Sequence, residues 1–148
     1  MELIYPGKKS AKEILDLGST AHFSIPYSQN NSLINGNNLE VLSILLHEYK
    51  MYGKVDLIYI DPPFATNGTF TIGKDRTSTI SGSLEDDIAY TDTLVGEEFL
   101  EFLRERLILA RELLSGQGSI YLHIDYKIGH YVKIIMDEVF GSENFRND

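Results

Sequence analysis

The spacing of apolar and polar positions along this chain changes several times, and each change marks a predicted element. Val55 to Ile60 is a β-branched and aromatic run without a breaking residue, which predicts a buried strand. Residues 118–125 predict a second strand of the same kind. Between them, apolar residues recur every three or four positions over residues 97–114, which is typical of an amphipathic helix. Strand, helix and strand in this order predict a parallel crossover unit.

The segment that follows the second strand predicts a helix over residues 126–140, because its apolar residues form one stripe at the helical period. Asp125 is a suitable N-cap for this helix, and Gly141 is a suitable stop. Gly116 is the predicted stop of the preceding helix.

The first third of the chain predicts two helices and a short strand. Residues 8–17 have an amphipathic pattern that ends at Gly18. Residues 32–35 predict a short strand, and a leucine-rich helix follows, capped by Asn37 or Asn38. Strands that alternate with helices predict an α/β fold, with a mostly parallel sheet and helices on both faces.

Length and composition fit one globular domain and restrict its chemistry. The 148 residues contain no apolar run of membrane-spanning length and no signal-peptide pattern, so we expect no membrane partner. The absence of cysteine excludes disulfides, thiolate metal sites and cysteine nucleophiles, and it fits a cytoplasmic protein. The four histidines have no metal-ligand spacing, so we assign no metal.

The candidate chemistry lies where the first strand stops, at Asp61-Pro62-Pro63-Phe64. Two prolines cannot continue a strand ladder, so the chain must turn directly after Asp61. A carboxylate, backbone carbonyls and an aromatic ring therefore lie at the carboxyl end of a buried strand, where open α/β sheets bind ligands. The alternative is a simple proline turn in which Asp61 accepts a local hydrogen bond.

This motif after an apolar strand resembles the catalytic motif of the amino-group DNA methyltransferases, in which the acidic form usually goes with adenine. The stretch from Gly118 to Asp148 resembles the modification subunits of type III restriction systems and related adenine methyltransferases, and the whole resemblance covers residues 30–148. It implies a partial Rossmann-like methyltransferase sheet. It also implies S-adenosylmethionine as the methyl donor and double-stranded DNA with an extruded adenine as the substrate.

The resemblance implies a role for each motif residue. The Asp61 carboxylate and the Pro62 carbonyl would accept hydrogen bonds from the amino group of the target base. Phe64 would stack on the extruded base, and Pro63 would belong to the same catalytic motif. Asn37 and Asp61 would help bind the cofactor, since many relatives have an acidic residue where Asn37 stands. A simple helix cap is an equally good interpretation of Asn37.

Two further features have alternative interpretations. His123 would emerge at the same sheet edge as Asp61, and a packed strand-end histidine is favoured over a functional one. Residues 65–93 hold several glycines, serines and threonines and few core-forming residues, which predicts a structureless connection. We interpret this connection as a mobile loop over the base pocket, with an ordinary insertion as the alternative.

The resemblance also predicts the domain organisation. Residues 1–29 form an amino-terminal extension, and residues 30–148 are the amino-terminal part of a methyltransferase catalytic domain. In the group with this motif order, a target-recognition region and a Phe-x-Gly-x-Gly cofactor motif follow, and neither is found here. We therefore expect a piece that is truncated before the target-recognition region and needs a carboxyl-terminal region or partner chain. A net charge of −9 without a basic cluster likewise opposes a free-standing DNA-binding protein.

The predicted function is site-specific DNA adenine methylation in a restriction-modification system, with a restriction subunit as a candidate partner. The alternative is a catalytically inert remnant or split subunit that acts only with a partner half. A methyltransferase for RNA or for protein glutamine is a weaker alternative, because such enzymes usually carry Asn at the position of Asp61 and place the cofactor motif first.

Overall fold

A computed structural model describes residues 2–17, 31–62, 69–72, 87–91 and 96–148. In chain order the elements are α1 (Ala11–Leu15), α2 (Asn38–His47), β1 (Val55–Ile60), β2 (Thr69–Ile72), β3 (Asp87–Thr91), α3 (Gly96–Leu113), β4 (Leu114–Leu122), α4 (Tyr126–Phe140) and a 3₁₀ turn (Ser142–Asn144). The predicted α/β class is confirmed.

The strands β1 and β4 form a parallel pair, so the predicted crossover from β1 through α3 to β4 is confirmed. Ile58, Tyr59 and Ile60 stand opposite Ile120, Tyr121 and Leu122. The backbone N–H of His123 donates to the carbonyl of Ile60 at 2.9 Å, which extends the ladder one residue past β4.

The two faces of this strand pair have different surroundings. One face packs against the apolar side chains of α3 and α4, through Ile60, Ile120 and Leu122. The other face, which we call the uncovered face, consists of Leu57, Tyr59 and Tyr121, which are 61%, 67% and 57% exposed. In the described part of the chain, helices therefore cover one face of the sheet. Parallel sheets are ordinarily covered on both.

The helix α3 is the centre of the apolar core. One cluster joins it to α4, through Phe99, Leu103, Leu107, Val132 and Ile135. A second cluster joins it to α1 and α2, through Ile14, Leu46, Ile108, Leu109 and Leu113. The amphipathic helix predicted for residues 97–114 is thus confirmed, and two charged residues, Arg104 and Glu105, are buried together with most of its apolar ones. Among the described residues, no helix is both long and apolar enough to cross a membrane.

Residues 2–17 are built into this core. Tyr5 is buried, and its hydroxyl donates to the Glu101 carboxylate at 2.6 Å. Burial and the hydrogen bond to Glu101 raise the pKa of the Tyr5 phenol. Ile14 is fully buried, and Lys8 Nζ forms an ion pair with Glu138 at 2.8 Å. The predicted amino-terminal extension therefore packs on α3 and α4 over its described residues.

A buried arginine lies where this segment meets α3 and α4. Arg104 is 4% exposed, its Nε donates to Glu138 at 2.9 Å, and its Nη1 donates to the Lys9 carbonyl at 2.8 Å. The same guanidinium lies 3.6 Å from Glu101. Burial alone raises the pKa of Glu138, but hydrogen bonds from Lys8 and Arg104 outweigh it, so this pKa lies below its ordinary value. We call Lys8, Glu101, Arg104 and Glu138 the Arg104 cluster.

The ends of α4 follow the prediction, whereas β4 starts and ends earlier than the predicted residues 118–125. The Asp125 side chain accepts from Lys127 N at 2.8 Å, and Gly141 ends the helix with a φ of +88°. Because Asp125 serves as the cap, β4 ends before it. The predicted helix stop at Gly116 is wrong, since α3 passes directly into β4 at Leu114.

Gly118 lies where the pairing of β1 with β4 is irregular. The pairing of β1 with β4 shifts register between Val55 and Leu57. A Cβ at Gly118 would lie 2.8 Å from the Leu114 side chain and 2.9 Å from the Val55 carbonyl. Because β1 and β4 approach each other closely at this shift in register, position 118 requires a residue without a side chain.

Two predictions for the first third of the chain are corrected. The first helix spans Ala11–Leu15 rather than residues 8–17, because Ser10 and Glu13 form a capping box that fixes its start. Residues 32–35 form no strand. Strands need a ladder partner, and β1 and β4 pair only with each other within the described ranges.

The predicted structureless connection is wrong for part of its length. Thr69–Ile72 and Asp87–Thr91 pair antiparallel in a second, two-stranded sheet. Both runs carry the β-branched and aromatic residues that favour strands. Residues 65–68, 73–86 and 92–93 lie outside the described residues, and so does the interpretation of a loop over the base pocket.

Candidate functional site

Asp61 and His123 lie side by side at the carboxyl ends of β1 and β4. Ile60 stands opposite Leu122, so Asp61 and His123, which follow them, are the next pair along the two strands. Asp61 Oδ1 lies 3.1 Å from His123 Nδ1, and the two side chains are 60% and 57% exposed. The interpretation of His123 as a packed strand-end residue is therefore wrong.

The local sequence explains why this pair forms at the strand ends. Pro62 has no backbone N–H, so β1 cannot continue its ladder beyond Asp61. On the neighbouring strand, the His123 N–H still bonds to Ile60, and Ile124 then packs against the core. Backbone hydrogen bonding and packing thus hold both side chains at the same edge of the sheet.

Strand alternation places the pair on the uncovered face. In both strands, the residue before the pair is turned toward the helices, and the one before that is exposed. Asp61 therefore follows Tyr59 on one strand, as His123 follows Tyr121 on the other. This alternation was the sequence signal that could have placed His123 on the same exposed face as Tyr121, and the register of β4 against β1 then makes it the neighbour of Asp61.

Asn37 has a different position and a clear structural role. Its side-chain oxygen accepts a hydrogen bond from Leu39 N at 3.0 Å, which caps α2. The helix-cap interpretation is confirmed, and the amide nitrogen remains as a donor. Among the described residues, Asn37 makes no hydrogen bond to Asp61 or Pro62.

The structure places only part of the predicted site. Asp61 is exposed and Pro62 is half-buried at the end of β1, with His123 beside them. Pro63 and Phe64 lie outside the described residues. Their roles remain predictions.

Most of the described arginines, and several of the lysines, are engaged in ion pairs within the chain. These paired cations lie in the amino-terminal segment, α3 and α4, and are Lys8, Lys9, Arg104, Arg106, Arg111 and Lys133. Their carboxylate partners neutralise them, so they contribute little to a basic surface for a DNA backbone. The expectation drawn from the net charge of −9, that the chain alone is no DNA-binding protein, stays a prediction.

A cleft of about 590 Å³ lies elsewhere, between the amino-terminal segment and the first turns of α3 and α4. Its walls are mainly apolar and include Leu3, Ile4, Tyr5, Leu100, Ile128 and Tyr131. Neither Asp61 nor His123 lines it. The candidate site is therefore an open strand edge, separate from this cleft.

The segment that carries Asp61 and His123 is similar to known proteins. A DNA methylase family matches residues 55–148, from the first residue of β1 through α4. The type II methyltransferase M.EcaI of Enterobacter cloacae is 36% identical over 98% of this chain and 31% of its own length. The StyLTI Mod subunit of Salmonella typhimurium, from a type III restriction-modification enzyme, is 32% identical over 94% of this chain and 23% of its own length. The corresponding EcoP15I Mod subunit of Escherichia coli is 34% identical over 78% of this chain and 20% of its own length. The chain thus spans less than a third of each of these relatives.

Proposed function

Because this chain belongs to the DNA methylase family, we propose that it contributes the acceptor pocket of a site-specific DNA methyltransferase. The substrate is adenine in double-stranded DNA, and the methyl donor is S-adenosylmethionine. The observation that carries the proposal is the position of Asp61: an accessible carboxylate at the carboxyl end of a parallel strand, followed directly by Pro62. Ligands of open α/β sheets bind at this edge.

The acceptor residues address the weak nucleophilicity of the target. The lone pair of an exocyclic amino nitrogen is conjugated with the purine ring. Hydrogen bonds from its two hydrogens to the Asp61 carboxylate and the Pro62 carbonyl draw the nitrogen toward tetrahedral geometry, which localises the lone pair. Asp61 and Pro62 would hold the amino group beside a bound S-adenosylmethionine, which would supply the methyl group and leave as S-adenosylhomocysteine, while the amino proton would pass to Asp61 or to water. Asp61 stabilises the positive charge that develops on the amino nitrogen.

The described residues fit only part of a site for S-adenosylmethionine. Asp61 lies where the methyl group would be transferred, and Asn37 offers a side-chain N–H because its oxygen is used by the α2 cap. A cofactor of this size needs an enclosing pocket with several placed polar groups. We propose that these come from the part of the relatives' length that this chain does not span.

Phe64 is proposed to stack on the extruded adenine, with Pro63 holding the turn before it. Replacing Phe64 with alanine should weaken retention of the base by about 1–3 kcal/mol, whereas Phe64→Tyr keeps the aromatic face. The measurement is the fluorescence rise of 2-aminopurine at the target position, in the complete enzyme. An unchanged rise with Phe64→Ala would assign the stacking to another residue.

The 148-residue chain alone should bind S-adenosylmethionine weakly and should methylate no DNA. In the part of the chain that the structure describes, one face of the β1–β4 pair is exposed, and Asp61 and Asn37 supply only part of a donor site. Calorimetry with the cofactor, and transfer of labelled methyl groups to an adenine-containing duplex, test this. Micromolar affinity, or methyl transfer without another chain, would show that the chain builds a complete donor site.

The alternative function is a catalytically inert remnant or a split subunit, and the share of the relatives that is covered keeps it open. The test is to add, as a separate chain, a region equivalent to the rest of a relative. Methylation of adenine N6, identified by mass spectrometry of the digested DNA, would support a split enzyme.

The type III relatives are named as Mod subunits of restriction-modification enzymes, which makes a restriction subunit a proposed partner. A cytoplasmic location also remains a prediction.

A further inference from the structure

We propose that His123 is a positioning residue, which holds the Asp61 carboxylate in the orientation that accepts the target amino group. The inference rests on the function proposed for Asp61 above. Its basis is the 3.1 Å distance between His123 Nδ1 and Asp61 Oδ1, across the ends of two neighbouring parallel strands. Neither residue is within the packed core, so this contact is made at the accessible edge where a base would arrive.

The hydrogen bond from His123 gives the two carboxylate oxygens of Asp61 different roles. With Oδ1 engaged by His123, Oδ2 would be the oxygen left to accept an incoming N–H group. An exposed aspartate has several staggered χ1 states and a broad χ2, so a lone carboxylate would point in many directions. Selecting one orientation before the base binds lowers the entropy cost of forming the reactive geometry.

The backbone gives His123 the precision that this role needs. Its own N–H donates to Ile60 at 2.9 Å, and Ile60 directly precedes Asp61. The backbone hydrogen bond between His123 and Ile60 therefore fixes the position of the imidazole relative to the Asp61 carboxylate. For Nδ1 to donate, the neutral ring must be the Nδ1–H tautomer, in which Nε2 is the acceptor.

Side-chain geometry provides a graded set of variants. In His123→Asn, the amide nitrogen stands close to the position of Nδ1 and retains a donor. In His123→Gln, the donor moves one carbon further from the backbone, toward the position of Nε2. His123→Leu retains bulk and removes the donor. The matched control is His130→Leu, which changes an exposed histidine on α4 away from the strand ends.

The kinetic experiment uses the complete methyltransferase under single-turnover conditions, with melting temperatures recorded for every variant. We expect His123→Leu and His123→Gln to slow methyl transfer by about tenfold, while the half-saturating concentrations of DNA and of S-adenosylmethionine stay unchanged. His123→Asn and His130→Leu should stay within about threefold of wild type. Equal slowing by Asn, Gln and Leu would overturn the proposal, and so would unchanged rates in all three.

A spectroscopic experiment on the 148-residue chain tests the contact without catalysis. Nitrogen-15 NMR of the histidine rings should show the Nδ1–H tautomer for His123 in the wild type, and Asp61→Ala should shift His123 toward the Nε2–H tautomer. A His123 ring already in the Nε2–H form would overturn the proposal. The two proposals fail separately: an active Asp61→Ala enzyme refutes the acceptor function. An inactive Asp61→Ala enzyme combined with a fully active His123→Leu enzyme refutes only the positioning role.

Discussion

Replacing Asp61 with alanine should lower the rate of methyl transfer by the complete enzyme by about 100-fold or more. The substitution removes a charged acceptor from the nitrogen at which positive charge develops, and water is a poor substitute because it is not held in place. The contact with His123 is lost at the same time. Asp61→Asn should have an intermediate rate, since it retains one acceptor oxygen without the charge. The measurement is a single-turnover rate with labelled S-adenosylmethionine and a duplex at saturating concentration.

The matched control for this prediction lies on the same strand. Asp56 is also an exposed aspartate of β1, but it lies near the opposite end of the strand and accepts a hydrogen bond from Ser115 at 2.7 Å. Asp56→Ala should therefore leave the rate of methyl transfer unchanged. If Asp61→Ala stayed within threefold of wild type, the carboxylate would not be the acceptor.

The second large effect concerns stability. Arg104→Met should lower the free energy of unfolding of the 148-residue chain by about 3–5 kcal/mol, as is typical when one partner of a buried ionic network is removed. Glu138 would lose its Nε contact, and the Lys9 carbonyl would lose its donor. Urea unfolding followed by circular dichroism measures the difference. Arg111→Met is the control, because its ion pair with Glu112 is exposed and should contribute less than about 1 kcal/mol.

The pH dependence of unfolding provides a second readout of the Arg104 cluster. The pKa of Glu138 is lower in the folded chain than its ordinary value, so the unfolded state takes up the proton first as the pH falls. Its contribution is therefore present above the ordinary carboxyl pKa and is lost as the pH falls through the lower, folded value. Glu138→Gln should flatten this part of the stability curve. A loss below 1 kcal/mol for Arg104→Met, together with an unchanged acid limb, would show that the cluster is not stabilising.

The elements that the sequence predicts well are those fixed by local chemistry. The run from Val55 to Ile60 ends at Pro62 because a missing N–H stops a ladder, whatever lies around it. The helix α4 likewise begins where the Asp125 side chain caps it and ends at Gly141, which adopts a positive φ. For these segments the physical cause lies within a few residues of the boundary.

The features that were missed depend on contacts between distant segments. The start of β4 at Leu114 follows from the register shift against Val55, which no local pattern encodes. The burial of Tyr5 and Ile14 depends on α3, more than eighty residues later in the chain. The pairing of His123 with Asp61 requires the relative register of two strands. Alternation within one strand gives a side, and only pairing gives a neighbour.

The attachment of the first residues to α3 and α4 has a practical consequence for anyone who produces this domain. A gene segment cut at the start of the family match, residue 55, would omit Tyr5, Lys8 and Ile14 along with α2. Arg104 and Glu138 would keep their charges but lose the lysine and the carbonyl that now complete their pairing. The apolar side of α3 that packs on α1 and α2 would face solvent, and such a surface favours precipitation during purification. Affinity tags are better fused ahead of Glu2, whose side chain is exposed, than in place of the residues that follow it.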